Sequence, residues 1–265
     1  MSRVACVLPV FVLCAWFGVV IIVPVMELAP DVISLEQILQ PPGQERWLGS
    51  DDLGRSVADR LLVGAQTSLL VAFSVMLITL VIGTAIGTLS AWYGGWVDQL
   101  LMRITDIFLA FPGILLAIAM AGLLGPGISN VIIALGVVGW VGFARLARAQ
   151  VLVFRERDHV MAAEALGTSH RRVLWQHLLP LIAAPLIIEA TFAVAGLIIA
   201  EAGLSFLGLG VQAPQASWGS MIRDGSQYLL IAPHLVIIPG IALFSIVMAI
   251  NILGDQLRDW IDIKT

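Results

Sequence analysis

Long, mostly apolar runs alternate with polar segments along the whole chain. The runs are about 20 residues long, which is the length an α-helix needs to cross a bilayer. The pattern therefore predicts an all-α, polytopic membrane protein with six transmembrane helices. The predicted spans cover residues 4–26, 67–92, 104–124, 131–146, 181–199 and 229–252.

Composition supports a membrane protein and narrows its partners. Of the 265 residues, 59% are hydrophobic and 12% are charged, whereas about a quarter are charged in an average soluble domain. The net charge is −4 and no basic run occurs, so nucleic acid is not an expected partner. Cys6 and Cys14 lie eight residues apart on one predicted helix, too far apart for a disulfide.

The polar segments divide the chain into four parts. Residues 1–26 form the first span, 27–66 an extracytoplasmic segment, 67–252 a five-helix core with a loop at 155–180, and 253–265 a cytosolic tail. Within 27–66, Ser56 and Asp59 are placed to cap a helix whose apolar side lies in the membrane interface.

Two features suggest how the spans pack and bend. Gly83 and Gly87 stand four residues apart, a spacing that lets another membrane helix approach closely, although such pairs also occur without that role. Pro112 predicts a kink in the third span because proline removes a backbone donor. Asp106, near the inner end of that span, is expected to snorkel toward the interface or to pair with Arg103 rather than to have a functional role.

Lysine and arginine predict the orientation of the chain, because basic loops stay on the cytosolic side. With the amino end inside, six crossings put ten basic residues inside and four outside. Both ends and the loop after the fourth span are therefore predicted to be cytosolic.

Residues 161–180 are the one extended polar stretch between long apolar runs in the second half. The helix formers of 162–166 precede Gly167, which is able to end a helix. Val173, Leu174 and Leu178 then recur at helical spacing. This pattern predicts a helix-turn-helix hairpin at the membrane surface, which serves either as a docking surface for another protein or as a simple connector.

The same stretch resembles the "EAA" loop of ABC-importer permeases. Ala162, Ala163, Gly167 and the pair Leu179-Pro180 match that loop, while Met161 stands where the family has glutamate and His177 where it has isoleucine. The resemblance extends to the dipeptide/oligopeptide/nickel subfamily through four further segments: WLGSDDLGRSVADRLLVGAQTSL (47–69), EAGLSFLGLG (201–210), Trp218-Gly219 and NILGDQLRDWID (251–262).

The resemblance implies a permease of the type I importer fold, with a coupling helix between spans 4 and 5. It implies a heterodimer with a homologous second permease, two ABC ATPase subunits, an extracytoplasmic substrate-binding protein and a lipid bilayer around the spans. It also implies that this chain binds no cofactor and that ATP and Mg belong to the ATPases. The implied ATPase-coupling residues are Ala162, Ala163, Glu164, Gly167, Arg171, His177, Leu179 and Pro180.

The chain lacks the sequence signals of an ATPase or a metalloenzyme. Its only lysine is Lys264, so no Walker A motif is present, and the four histidines are scattered. An intramembrane hydrolase with Ser205 as nucleophile is a remote alternative, because Leu207 replaces the second glycine of a nucleophile elbow. A passive channel would need a ring of charges or a carbonyl filter, which the sequence does not show.

Three residues are candidates for the translocation path: Glu189, Glu201 and Ser205. Glu189 falls near the middle of the fifth span, where a bare carboxylate is costly. It either meets a cationic substrate group in a wet path or is a packing carboxylate. Short peptides are the expected substrate, and nickel or a metal chelate is the alternative.

Overall fold

The computed structural model describes residues 4–44 and 46–262, and the regular elements in this part of the chain are helices. Short 3-10 turns at Val23–Val25 and Leu35–Gln37 and a π-helical turn at Leu174–Leu178 interrupt them. The α-helices are α1 (Val4–Ile22), α2 (Val57–Tyr93), α3 (Gly95–Leu109), α4 (Gly113–Leu124), α5 (Ile128–Phe154), α6 (Asp158–Ala165), α7 (His170–Val173), α8 (Leu179–Phe206), α9 (Trp218–Ser226) and α10 (His234–Asp262).

Five helical stretches in the described residues are long and apolar enough to cross a membrane: α1, α2, α5, α7 with α8, and α10. The pair α3 and α4 makes a sixth if the two count as one span, although they are bent by 84°. The predicted all-α membrane fold is therefore confirmed, and the six predicted spans are present when α3 and α4 count as one. Arg3 and Lys264, which entered the orientation count, lie outside the described residues.

Helix α2 is one continuous helix of 37 residues, about 55 Å long. Its first turn is capped as predicted, because the Ser56 hydroxyl accepts a hydrogen bond from the Asp59 amide at 3.3 Å. The predicted interfacial helix and second span are parts of this helix, since nothing between them stops it. The predicted boundary at residues 66 and 67 thus falls inside α2.

The glycine pair of α2 lies against α5, as its spacing predicted. A Cβ on Gly83 would stand 2.6 Å from Phe143 Cβ, and a Cβ on Gly87 would stand 2.9 Å from both Ala144 C and Arg148 N. These distances are too short for any side chain. The two backbones are therefore in direct contact along this crossing.

The third span is broken rather than kinked. Helix α3 begins at Gly95, before the predicted start at 104, and ends at Leu109, after which Pro112 opens α4. Proline lacks the amide that a continuous helix needs and clashes with the preceding turn, so a full break replaces the expected bend. Asp106 pairs with Arg145 at 3.8 Å, and its expected pairing with Arg103 was wrong.

Two other predicted boundaries also fall inside helices. Helix α8 continues to Phe206, beyond the predicted end at 199. Helix α10 begins at His234 and continues to Asp262, so most of the predicted tail at 253–265 is helical. No proline interrupts these extensions, and a helix stabilised by packing extends past the end of its apolar run.

The segment before α2 folds against the start of that helix through a buried charge network. Arg55 Nε lies 2.7 Å from Asp51 Oδ2, and Arg60 Nε lies 3.5 Å from the same atom. Arg60 Nη1 also lies 3.6 Å from Asp31 and donates to the Pro214 carbonyl at 3.4 Å. This network joins the 27–56 segment to the turn before α9.

Candidate functional site

The predicted helix-turn-helix hairpin is present and consists of α6 and α7. Gly167 adopts a φ of +80°, which an L side chain rarely tolerates, and it ends α6. Its amide donates to the Glu164 carbonyl at 2.9 Å, and the Thr168 amide donates to the Ala163 carbonyl at 3.0 Å. These bonds satisfy the last carbonyls of α6 and fix the turn.

The second arm of the hairpin runs into α8 without a break. Residues Leu174–Leu178 form a wide π-helical turn in which the Leu179 amide donates to the Leu174 carbonyl. This shift in register brings Pro180 to the beginning of α8, where its missing amide is tolerated. The hairpin and the fifth predicted span are therefore mechanically continuous.

The hairpin base is fully packed. Val160 on α6, Val173 on α7 and Leu178 in the π-helical turn are each 0% exposed. They form one cluster with Val151 of α5 and Ala91 of α2, together with other apolar residues. A movement of the hairpin therefore transfers to α2, α5 and α8 rather than being absorbed locally.

The tip and outer face of the hairpin are exposed and partly apolar. Leu166 is 86% exposed and Trp175 is 72% exposed. The predicted coupling residues Ala162, Glu164, Gly167, Arg171 and Pro180 are exposed, and His177 and Leu179 are half-buried. Ala163 differs, because it is only 9% exposed and packs inward.

An ion pair at the hairpin end of the bundle was not predicted from the sequence. Arg148 donates two hydrogen bonds to Asp98, each 2.6 Å long. Beside it, Arg155 donates to the Ala91 carbonyl at 2.9 Å. These contacts tie together α2, α3 and α5. Asp98 lies six residues after the second predicted span and Arg148 two residues after the fourth, so opposite charges at one membrane boundary were the available signal.

Glu201 and Ser205 lie at the other end of α8, about 18 Å beyond Glu189. Both are 0% exposed. The Ser205 hydroxyl donates to Glu201 Oε1 at 2.7 Å and accepts from the Val211 amide at 3.1 Å. Gly210 lies against Ser205 so closely that it has no room for a side chain. Within this chain both residues are enclosed by packing, and their role in a path stays a prediction.

Trp218 is buried in the same region as Glu201 and Ser205. Its side chain is 0% exposed, its backbone amide donates to the Ser68 hydroxyl at 3.3 Å, and its indole donates to the Leu61 carbonyl at 3.1 Å. A capping box between Ser217 and Ser220 starts α9 at this point. The EAGLSFLGLG and Trp218-Gly219 segments thus form one packing unit with α2.

Glu189 lies apart from the hairpin and from the buried residues around Glu201, in the middle of α8. It is exposed and stands beside Gly142 of α5. Within 4–44 and 46–262, no group of three or more His, Cys, Asp or Glu residues is arranged to hold a metal ion.

Residues 83–265 match the family described as the binding-protein-dependent transport system inner membrane component. The chain belongs to this family. It is a multi-pass inner-membrane permease subunit of an ABC importer, a kind of system that also has ATPase and substrate-binding components. The prediction that the chain is not itself an enzyme is confirmed, because its relatives are permease subunits.

Several curated relatives cover most of this permease. It is 43% identical over 226 residues to the dipeptide transport system permease protein DppC of Alkalihalophilus pseudofirmus, covering 85% of this chain and 74% of that one. It is 45% identical over 233 residues to a putative peptide transport system permease protein of Brucella suis, covering 88% and 78%. It is 38% identical over 236 residues to the glutathione transport system permease protein GsiD of Pectobacterium atrosepticum, covering 89% and 78%.

A solved structure shares the fold. The inward-facing MetNI methionine ABC transporter matches with a TM-score of 0.61 and 22% identity, over 75% of this chain and 95% of that one. This similarity confirms the predicted type I importer permease architecture.

Proposed function

We propose that this chain is one of two different permease subunits of an ATP-driven importer for short peptides. Its relatives named as dipeptide and peptide transport permeases support the substrate. A nickel or metal-chelate importer is the alternative, and an intramembrane hydrolase is a remote one. The second permease, two ATPases and an extracytoplasmic binding protein complete the assembly.

The hairpin of α6 and α7 is the coupling element, and its geometry is the observation that carries the mechanism. It presents Leu166 and Trp175 to solvent on a base that is fully packed. ATP and Mg bind to the ATPase subunits, and closure of those subunits pushes the hairpin. Because α7 continues into α8, the push tilts α8 and switches access across the bilayer.

The proposed orientation has both chain ends and the hairpin in the cytosol. The excess of basic residues on that side, ten against four, supports it. The segment 27–56 then lies outside, on the side of the binding protein.

Leu166→Asp tests the coupling role. Burial of one leucine side chain contributes about 1.5–3 kcal/mol to the free energy of docking. Its loss weakens ATPase docking about 10- to 100-fold. We expect peptide uptake to fall by at least that order while the chain still inserts and pairs with the second permease. Leu35→Asp is the matched control for ATPase docking, measured by co-purification of the ATPases, because Leu35 is 70% exposed on the opposite side of the membrane from the proposed docking face.

Ala163→Arg is a weaker test, because Ala163 faces the packed side of the hairpin and the substitution would also disturb the fold. Normal ATP-driven uptake by the Leu166→Asp importer would refute the coupling role.

Affinity purification of the tagged chain should recover two ATPases and a second permease. Recovery of the chain alone would refute the proposed assembly.

A further inference from the structure

Three charged side chains lie on neighbouring helices at an outward-facing surface of the bundle, and we name them the charged stripe: Asp106 of α3, Arg145 of α5 and Glu189 of α8. The Arg145 and Asp106 side chains are 58% and 51% exposed, and Glu189 is also exposed. Arg145 Nη2 lies 3.8 Å from Asp106 Oδ1. A Cβ on Gly142, one turn from Arg145, would lie 3.9 Å from Glu189 Oε1.

The stripe lies on membrane-spanning helices and runs from near the middle of the membrane toward its cytosolic side. Glu189 is ten residues from the start of α8 at Leu179, or about 15 Å along the axis. Because the hydrocarbon core is about 30 Å thick, Glu189 falls near its middle. Arg145 lies near the cytosolic end of the fourth predicted span, one turn before Arg148.

Lipid is not a suitable neighbour for this surface. A charged side chain at the centre of a membrane helix costs about 2.5–3.5 kcal/mol even on the mildest scale. Glu189 is at such a position, and Arg145 and Asp106 extend the charge toward the cytosolic side. The exposed surfaces of α2 and α10 look different, since they carry apolar residues such as Leu77, Val81 and Phe244, each more than half exposed. Those surfaces suit lipid, whereas the charged stripe suits a wet path at the interface with the second permease that the proposed function requires.

Charge and spacing together indicate the ligand. Glu189 makes no hydrogen bond or ion pair with any residue that the structure describes. Arg145 is held by a single long contact to Asp106. The Glu189 carboxylate stands beside Gly142, which precedes Arg145 by three residues on α5, or about 4.5 Å of helix rise. The long Arg145 side chain can widen this separation toward the length of an extended dipeptide, about 7 Å.

We propose that the charged stripe lines the translocation path and binds both termini of a zwitterionic peptide. Glu189 takes the ammonium group and Arg145 takes the carboxylate, for which the planar guanidinium is well shaped. Asp106 holds the Arg145 side chain when the path is empty. A bare divalent cation would be attracted by Glu189 but repelled by Arg145. This inference rests on the proposed function and names the chemistry that its path recognises.

Thiol labelling in the assembled importer, reconstituted in proteoliposomes, tests the site. Gly142→Cys is introduced with Cys6→Ser and Cys14→Ser, and it fits because its nearest neighbour would lie at 3.9 Å. The control keeps Cys14, which is exposed on α1 among apolar residues, and replaces only Cys6. The reagent is a charged, water-soluble methanethiosulfonate, and the probes are Ala-Ala and its doubly blocked form, N-acetyl-Ala-Ala-amide.

We expect the thiol introduced at position 142 to react at least tenfold faster than Cys14. Free Ala-Ala should slow that reaction several-fold, and the blocked peptide should not. Adding Glu189→Gln or Arg145→Gln should abolish the protection, whereas Glu36→Gln, at an exposed site before α2, should preserve it.

Labelling as slow as that of Cys14 would overturn the path, and equal protection by the blocked peptide would overturn recognition of the termini. Uptake of Ala-Ala is measured in the same proteoliposomes. Uptake without protection refutes only the charged stripe. No uptake of any peptide refutes the proposed function, and this inference with it.

Discussion

Replacement of Gly87 by alanine is expected to destabilise the permease through the crossing of α2 and α5. The added Cβ would lie 2.9 Å from Ala144 C and from Arg148 N, where ordinary contact begins at 3.4 Å, and closer still to the Ala144 carbonyl oxygen. All three obstructing atoms belong to the α5 backbone. None of them can rotate away, so the two helices must separate.

Two opposing effects set the change in the free energy of unfolding caused by Gly87→Ala. Alanine gains about 0.5–1 kcal/mol over glycine inside a helix, and overpacking costs about 1–3 kcal/mol or more. Because backbone atoms block the methyl group, overpacking wins, and we expect a net loss of about 2 kcal/mol. For a chain of this size, that loss lowers the Tm by roughly 4–8 °C.

The measurement is thermal unfolding of the purified importer complex in detergent, with ATP-driven uptake as a second readout. Gly136→Ala on α5 is the matched control, because its new Cβ would meet only Ile78 Cγ2 at 3.8 Å. That control should be neutral or slightly stabilising. If Gly87→Ala is as stable as Gly136→Ala, the direct backbone contact between α2 and α5 is wrong.

Three further substitutions test other parts of the structure. Arg148→Ala removes the two hydrogen bonds from Arg148 to Asp98 and leaves only the one from the Ser90 hydroxyl. We expect the free energy of unfolding to fall by about 2–3 kcal/mol and ATPase activity to be coupled more weakly to uptake; unchanged coupling would contradict the tie between α3 and α5. Ser205→Ala removes the partner of buried Glu201 and of the Val211 amide, which should cost about 3 kcal/mol, and a Tm equal to that of the unsubstituted protein would argue against this network. Burial, then the neighbouring Asp51, raises the pKa of Asp52 above the ordinary 3.8. Its contribution to stability is therefore present below that value and is lost as pH rises through the raised pKa. Asp52→Asn should flatten the fall of the Tm as pH rises above 3.8, and an unaltered profile would exclude the effect.

The sequence by itself determined the features that depend on neighbours along the chain. Spans follow from uninterrupted apolar runs, because the bilayer demands about 20 such residues. The hairpin followed from Gly167 and from the apolar spacing after it, since a helix end and an amphipathic face are local properties. The resemblance of the loop at 161–180 then pointed to the family.

The tertiary structure decided what depends on residues distant in sequence. The pairing of Asp98 with Arg148, the inward orientation of Ala163 and the enclosure of Glu201 all require helices to be brought together. The break at Pro112 became a turn of 84° because α3 and α4 each pack on α5. Hydropathy fixes which segments enter the membrane, but only packing fixes which side of each helix meets a neighbour, lipid or the path.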